Sequence, residues 1–335
     1  MLKALRPASH AIDITSHADS KYHIVVEASP DILHSYYDLP QVCGLPHELC
    51  EMITAFLPTQ LLIVRSTEDI VTVQIGKHII GSIELSICCA MIFRTRLFLS
   101  CEDEAFFEYN MFNLTRVRSV STPHVVTCMS SNRDVITVGL HSGEIMIFDA
   151  YYQHRPLVGI PHNDSIIALD VGNNHFISGC LGGTVNIWCL QTYNRLFTIT
   201  HDNPVVSVAI SSDGYTFAYG DENGNVFVVF NMGATLHIEN NNLPTYNLKF
   251  HPLDAKCLAT DHYYNGVCLW DFKEPIYALT TLDISNADEN GVDNVQPHTV
   301  RKVGDLEFVQ NVSFSLDGCR LLTTSTESIM SWHII

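Results

Sequence analysis

Along most of this chain, apolar and polar residues alternate in runs of five or six, broken by Gly, Asn, Asp and Ser. That pattern predicts short strands joined by tight turns. One kind of run recurs and ends in an aromatic residue. It closes at Phe148, Trp188, Phe230 and Trp270, at intervals of 40, 42 and 40 residues. Upstream, Tyr109 stands 39 residues before Phe148, and Gln74 closes a similar run 35 earlier again. Downstream, Trp332 lies 62 beyond Trp270. The long interval holds residues 283–307, a polar stretch rich in Asn, Asp and Gly that reads as an inserted surface loop. Setting aside about 22 residues there restores a period of roughly 40, and seven units result.

Histidines mark the same period. His47, His124, His162 and His201 each precede a new apolar run, at separations of 77, 38 and 39 residues. Histidines a whole repeat apart sit in different units and cannot converge on one metal ion. The expectation is that each reaches a hydroxyl or loop backbone in its own unit.

Within the fifth unit, strands are predicted over 205–210, 215–219 and 225–230, with turns at 211–214 and 221–224. The seventh unit repeats this around Ser315-Leu316-Asp317-Gly318. Four short antiparallel strands per roughly 40 residues is the sequence signature of a propeller blade, so the fold class is all-β, a seven-bladed β-propeller. The last unit supplies three strands, over 309–315, 320–326 and 328–334. An open sheet edge is an aggregation hazard, so an N-terminal strand is expected to close the ring. Residues 21–28 are the first choice and 32–37 a shorter rival. The organisation read from the sequence is an N-terminal extension over 1–20 and a propeller over 21–335, with the 283–307 loop between blades six and seven.

Composition narrows the class. The chain is 47% hydrophobic and 16% charged, too apolar for disorder. The most apolar stretch, 85–99, is interrupted by Arg94 and Arg96, so no membrane span is expected. No secretory leader is expected either, and the chain is read as cytoplasmic. Eleven scattered cysteines without a Cys-x-x-Cys pair fit reduced thiols rather than zinc ligands or disulfides. On that reading the Asn-x-Ser/Thr sequons at Asn113, Asn163 and Asn311 carry no glycan. No phosphate loop, Gly-x-Ser-x-Gly or His-Glu-x-x-His occurs, and the Asp-Gly pairs are explained by turns. No catalytic site, metal, cofactor or small-molecule substrate is expected.

The aromatic-ended runs resemble the WD-repeat family, although only Trp270-Asp271 is a literal Trp-Asp pair. From about Val205 onward the likeness sharpens toward the receptors for activated C kinase, scaffolds carried by the small ribosomal subunit. It rests on Val208 to Gly214 in blade five, on Asn247-Leu248-Lys249-Phe250-His251-Pro252 with Leu269-Trp270-Asp271 in blade six, and on the long insertion before the blade-seven run Val312 to Gly318. The resemblance implies a docking hub that grips ribosomal RNA and proteins with one face and recruits kinases, other signalling proteins and translation factors. The family's ribosome-contacting Arg-Asp-Lys triplet falls here on Thr67, Glu68 and Asp69, so the usual phosphate contact cannot be made there.

The net charge of −18 repels nucleic acid unless cations are gathered locally. Arg94 and Arg96 fall in the first hairpin turn of blade two and Arg133 in the equivalent turn of blade three, so these three are expected on one face. Arg116 and Arg118 lie on the outer strand between them, and Arg65 precedes the lost triplet. These six are the candidate ribosome-binding residues. The rival expectation is a structural WD-repeat subunit of another assembly, such as a nuclear or vesicle-coat complex.

Overall fold

In the computed structural model, the described residues are 5–7, 21–27, 61–76, 78–149, 154–156, 162–231, 233–238, 244–261, 267–272, 301–303, 309–325 and 329–334. They form 28 strands. An isolated first strand, β1 (Leu5–Pro7), is followed by sheet one: β2 (Lys21–Glu27), β3 (Leu61–Ser66), β4 (Ile70–Ile75) and β5 (His78–Glu84). Sheet two is β6 (Cys89–Phe93), β7 (Arg96–Cys101), β8 (Ala105–Asn110) and β9 (Arg116–Ser121). Sheet three is β10 (Val126–Ser131), β11 (Val135–Leu140), β12 (Ile145–Asp149) and β13 (His154–Pro156). Sheet four is β14 (Ile166–Val171), β15 (His175–Cys180), β16 (Thr184–Cys189) and β17 (Arg195–Thr200). Sheet five is β18 (Val205–Ile210), β19 (Thr216–Asp221), β20 (Val226–Phe230) and β21 (Ala234–Ile238). Sheet six is β22 (Leu248–Phe250), β23 (Cys257–Asp261), β24 (Val267–Asp271) and β25 (Arg301–Val303). Sheet seven is β26 (Val309–Phe314), β27 (Arg320–Ser325) and β28 (Ile329–Ile334), completed by β1.

The first strand of each sheet touches the first strand of the next, and β26 touches β2, so the seven sheets close into a ring. Seven apolar clusters fill the seven gaps between sheets. Leu62, Val64 and Val73 of sheet one meet Leu97, Leu99 and Met111 from sheet two and the turn after β8. The smallest cluster described, Leu61, Ile63, Leu322 and Ile329, joins sheet seven to sheet one. Because both faces of most sheets are covered, the second strands are buried along their whole length, as in β3, β11 and β19. Strict alternation fails there for that reason.

The recurring residues of the sequence occupy one place. Gln74, Tyr109, Phe148, Trp188, Phe230, Trp270 and Trp332 each lie in the third strand of their sheet. The tryptophan indoles donate to Ser178, Thr260 and Thr323 hydroxyls of the neighbouring second strand, at 2.8–2.9 Å. A β-bulge also recurs near the start of the first strand in five sheets, between Tyr22/Ile24, Val126/Cys128, Ile166/Ala168, Val205/Ser207 and Val309/Asn311. Such a bulge adds twist to the strand that carries it.

Two expectations are corrected. The closing strand is β1, which pairs antiparallel with β28 through Leu5↔Ile334, Arg6↔His333 and Pro7↔Trp332. Residues 21–27 instead form the first strand of sheet one, paired with β3. A seven-residue apolar strand is long enough for the inner ring, whereas closure needs only three residues from the stretch read as an extension. Residues 32–37 lie outside the described residues. The 283–307 segment is not loop throughout, because Arg301–Val303 pairs with β24 as the outer strand of sheet six. That strand lies at a sheet edge, where apolar alternation is not demanded.

Two of the marker histidines behave as expected. Trp188 occupies Ser178 Oγ with its N–H, leaving the Ser178 hydroxyl to donate to His162 Nε2 at 2.6 Å, while Asn186 Nδ2 lies 3.2 Å from the same nitrogen. Burial and nearby Arg195 push the His162 pKa down to about 4, so the ring is neutral. His201 Nε2 pairs with the Tyr219 hydroxyl at 2.7 Å. His124 is exposed, and His47 lies outside the described residues. Nine cysteines are described and all are free thiols, from buried Cys101, Cys180, Cys257 and Cys268 to exposed Cys319.

Candidate partner-binding face

Since neighbouring strands run antiparallel, connections alternate between the two faces of the ring. Turns joining first to second and third to fourth strands open on one side, termed here the first-turn face. Turns joining second to third strands, and the links between sheets, open on the second-turn face.

The structure brings five of the six candidate arginines together at the first-turn face of sheets two and three. Arg94 and Arg133 occupy equivalent turns, and the Arg94 guanidinium donates to the Arg133 carbonyl at 3.3 Å. Arg94 also lies over the Phe93 ring at 5.1 Å, and Arg116 over Phe107 at 5.4 Å. Arg94, Arg116 and Arg133 are exposed.

Arg96 and Arg118 are tied differently. β8 runs between β7 and β9, and its Glu108 is buried between the two arginines. Arg96 Nε lies 3.6 Å from Glu108 Oε1, and Arg118 Nε 3.6 Å from Oε2. Glu108 shares its side of the sheet with Phe98 and Phe106, which pack against sheet three. The two guanidinium groups stand against its charge from the strands on either side. Sequence reasoning found the arginines but missed Glu108, whose register across from Arg118 is invisible before the strands are paired.

Arg65 does not join the cluster. It is the next-to-last residue of β3, near the second-turn face, and only 7% exposed. Beside it, Thr67, Glu68 and Asp69 form the β3–β4 turn, with Glu68 and Asp69 exposed. The equivalent turn of sheet two exposes Glu102, Asp103 and Glu104, and that of sheet five exposes Glu222. Asp164 and Asp202, also exposed, lie in links between sheets on this same side. Among the described residues this face is therefore acidic, and it repels phosphate well beyond the lost triplet.

The first turns of successive sheets are also fastened to one another. A side chain in one turn bonds a backbone carbonyl in the next: Arg94 to Arg133, Asn132 to Gly172 at 2.6 Å, His175 to Gly214 at 2.9 Å and His251 to Gly318 at 2.8 Å. The first turns of sheets two to five are thus joined in series, and those of sheets six and seven to each other.

Among the described residues no group of three or more His, Cys, Asp or Glu is placed to hold a metal ion, and no helix is long and apolar enough to cross a membrane. No protein-family model matches the chain, and no curated protein matches it. Among solved structures, the chain is similar to one from the crystal structure of the mitotic checkpoint complex. The identity is 15% and the TM-score 0.64, covering 100% of this chain and 95% of that one. That likeness extends to the fold, a WD-repeat-like β-propeller.

Proposed function

We propose that this chain is a non-catalytic cytoplasmic scaffold of the receptor-for-activated-C-kinase kind, docking on the small ribosomal subunit and recruiting kinases or other signalling proteins. The carrying observation is the gathering of Arg94, Arg96, Arg116, Arg118 and Arg133 on one face while the opposite face is acidic. On this reading the ribosomal contact has moved from the second-turn face, where the family triplet lies, to the first-turn face. Exposed Arg94, Arg116 and Arg133 contact ribosomal RNA phosphates. Arg96 and Arg118, engaged with Glu108, hold the strands that present them. Arg65, buried on the far side, has no part in the contact.

The test is co-sedimentation with small ribosomal subunits. Reversing Arg94 and Arg133 to Glu is expected to release the protein. Three phosphate contacts give a loss of about 20-fold in wild-type affinity between 50 and 200 mM salt. A wild-type protein that never travels with the small subunit refutes the reading.

The acidic balance favours a second reading, a structural propeller within a protein-only assembly, as the similar chain of the mitotic checkpoint complex is part of a complex. In a sucrose gradient of lysate, such a subunit sediments apart from ribosomal particles.

A further inference from the structure

The first-turn rim is not uniform. In sheets two to four the turns carry Arg94-Thr95, Asn132-Arg133-Asp134 and Gly172-Asn173-Asn174, all polar or small. In sheets five, six and seven the same turns each present one large apolar side chain to solvent: Tyr215 is 51% exposed, Leu253 72% and Leu316 55%. Single exposed apolar residues are ordinary. Three stand at the first turns of three consecutive sheets, on one side of the ring, and of these only Tyr215 has a described ring contact, edge-on against His175.

These turns are built rigidly. Asp213, Asp254 and Asp317 each accept, through Oδ1, the backbone N–H two residues on, from Tyr215, Lys256 and Cys319 at 2.9, 3.1 and 2.9 Å. His251 then joins the Leu253 turn to the Leu316 turn through Gly318. The apolar side chains are therefore held out on a fixed frame, so binding there costs little ordering of this chain.

The charge on the frame selects the occupant. Asp213, Asp254 and Asp317 stand beside the three apolar residues; Lys256 lies within these turns, and Lys249 and Arg320 flank those of sheets six and seven, so the uncompensated carboxylate is that of the Tyr215 turn. The Ser315 hydroxyl and the Cys319 N–H hold the Asp317 carboxyl below its ordinary range, so it remains charged. Carboxylates repel a nucleic-acid backbone or an anionic membrane. A second copy of a chain with net charge −18 is repelled as a whole.

We infer that the first-turn face over sheets five to seven is a docking row for a basic polypeptide segment bearing spaced apolar side chains. The apolar residues of the segment cover Tyr215, Leu253 and Leu316, and its Lys or Arg side chains meet the aspartates. This row is separate from the arginines of sheets two and three and does not depend on the ribosomal reading.

A fluorescently labelled synthetic Leu/Lys peptide is the probe, with a Leu/Glu peptide of the same pattern as control, both titrated against the full chain by anisotropy. The Leu/Lys peptide is expected to bind saturably and the Leu/Glu peptide not. The double substitution Leu253→Ser, Leu316→Ser is expected to weaken binding by about tenfold or more, since two apolar contacts are lost. Both side chains already face water, so the melting curve of that variant is expected to match the parent's. Reversing Arg94 and Arg133 to Glu leaves peptide binding intact, which separates failure here from failure of the ribosomal reading. Equal binding of the two peptides, no saturable binding, or unchanged affinity in the double variant overturns the inference. So does a parent dimer in sedimentation equilibrium that the double variant abolishes, which would make the occupant a second copy.

Discussion

His251 bonds the carbonyl of Gly318, 67 residues away, with Nε2 at 2.8 Å, while its Nδ1 accepts the Leu253 N–H at 3.2 Å. The ring is therefore neutral, carries its proton on Nε2, and is 6% exposed. One imidazole fixes the shape of its own turn and the distance to the next sheet. Arg94, Asn132 and His175 do the second of these tasks at other sheets with different chemistry. The link between neighbouring first turns is kept while the residue type, and for His175 its place in the turn, changes.

Gly318 and Gly214 separate backbone strain from this contact. Both have positive φ, +69° and +76°. A Cβ on Gly318 would lie 2.3 Å from His251 Cε1 and Nε2, whereas one on Gly214 meets nothing within 4 Å. Gly214→Ala is expected to cost about 1 kcal/mol, the left-handed penalty alone. Gly318→Ala is expected to cost about 3 kcal/mol, since the imidazole must also move and lose its bond. Urea unfolding of both variants measures the difference, and equal costs would count against the contact.

His162 makes stability depend on pH. Its folded value, about 4, lies below the ordinary 6.5, so as pH falls the unfolded chain takes up its proton first. The contribution is complete above about pH 6.5 and declines toward pH 4, with about 2 kcal/mol lost by pH 5. Burial pushes Asp261 the other way, up to about 7 against the bonds from Asn247, so its contribution is greatest in acid and fades as pH rises toward 7. Comparison of the parent with His162→Gln at pH 7 and pH 5 cancels the aspartate. The parent is expected to lose more stability than the variant, and parallel losses would remove His162 as the cause.

Glu108 and its two arginines are expected to be strongly non-additive. Arg96→Met or Arg118→Met alone leaves one guanidinium beside the buried carboxylate and costs about 1 kcal/mol, both arginines being more than a third exposed. The double variant takes both guanidinium groups away from the buried carboxylate and is expected to cost about 3–4 kcal/mol, more than the two single losses together. A double-mutant cycle read by chemical denaturation checks this, and simple additivity would refute it.

Arg94 opens a two-residue hairpin loop at φ +56°, a conformation that favours glycine. Arg94→Gly removes about 1 kcal/mol of strain and loses a surface cation–π contact of about 0.5 kcal/mol together with the exposed bond to the Arg133 carbonyl, itself worth about 0.5 kcal/mol. The variant is expected to melt close to the parent temperature while binding ribosomal subunits more weakly. A clear drop in melting temperature would show that the side chain serves the fold rather than a partner.

The roughly 40-residue period was legible because each sheet repeats the same burial problem, and the aromatic landmarks mark one place in every sheet. Strand limits in units five and seven were legible because their turns carry Asp-Gly. The closing strand was not: Leu5-Arg6-Pro7 is too short to show alternation. Nor was the outer strand Arg301–Val303, whose residues sit at an edge and need not be apolar. Arg94 and Arg133 could be placed on one face from turn positions alone. Arg65 could not, because a polar residue in a strand covered on both faces gives no alternating signal. Glu108 became meaningful only once register set it between two arginines from other strands.

The pairing of β1 with β28 has a consequence for the order of events during synthesis. Leu5 leaves the translating ribosome before the other described strands and then waits for Ile334, its register partner in β28. Inner sheets, built from neighbouring hairpins, can form on the nascent chain as it lengthens. The seventh cannot be completed until β28 has emerged, so closure is a late, long-range step, and a chain that stops just before β28 leaves β1 and β27 as uncovered edges.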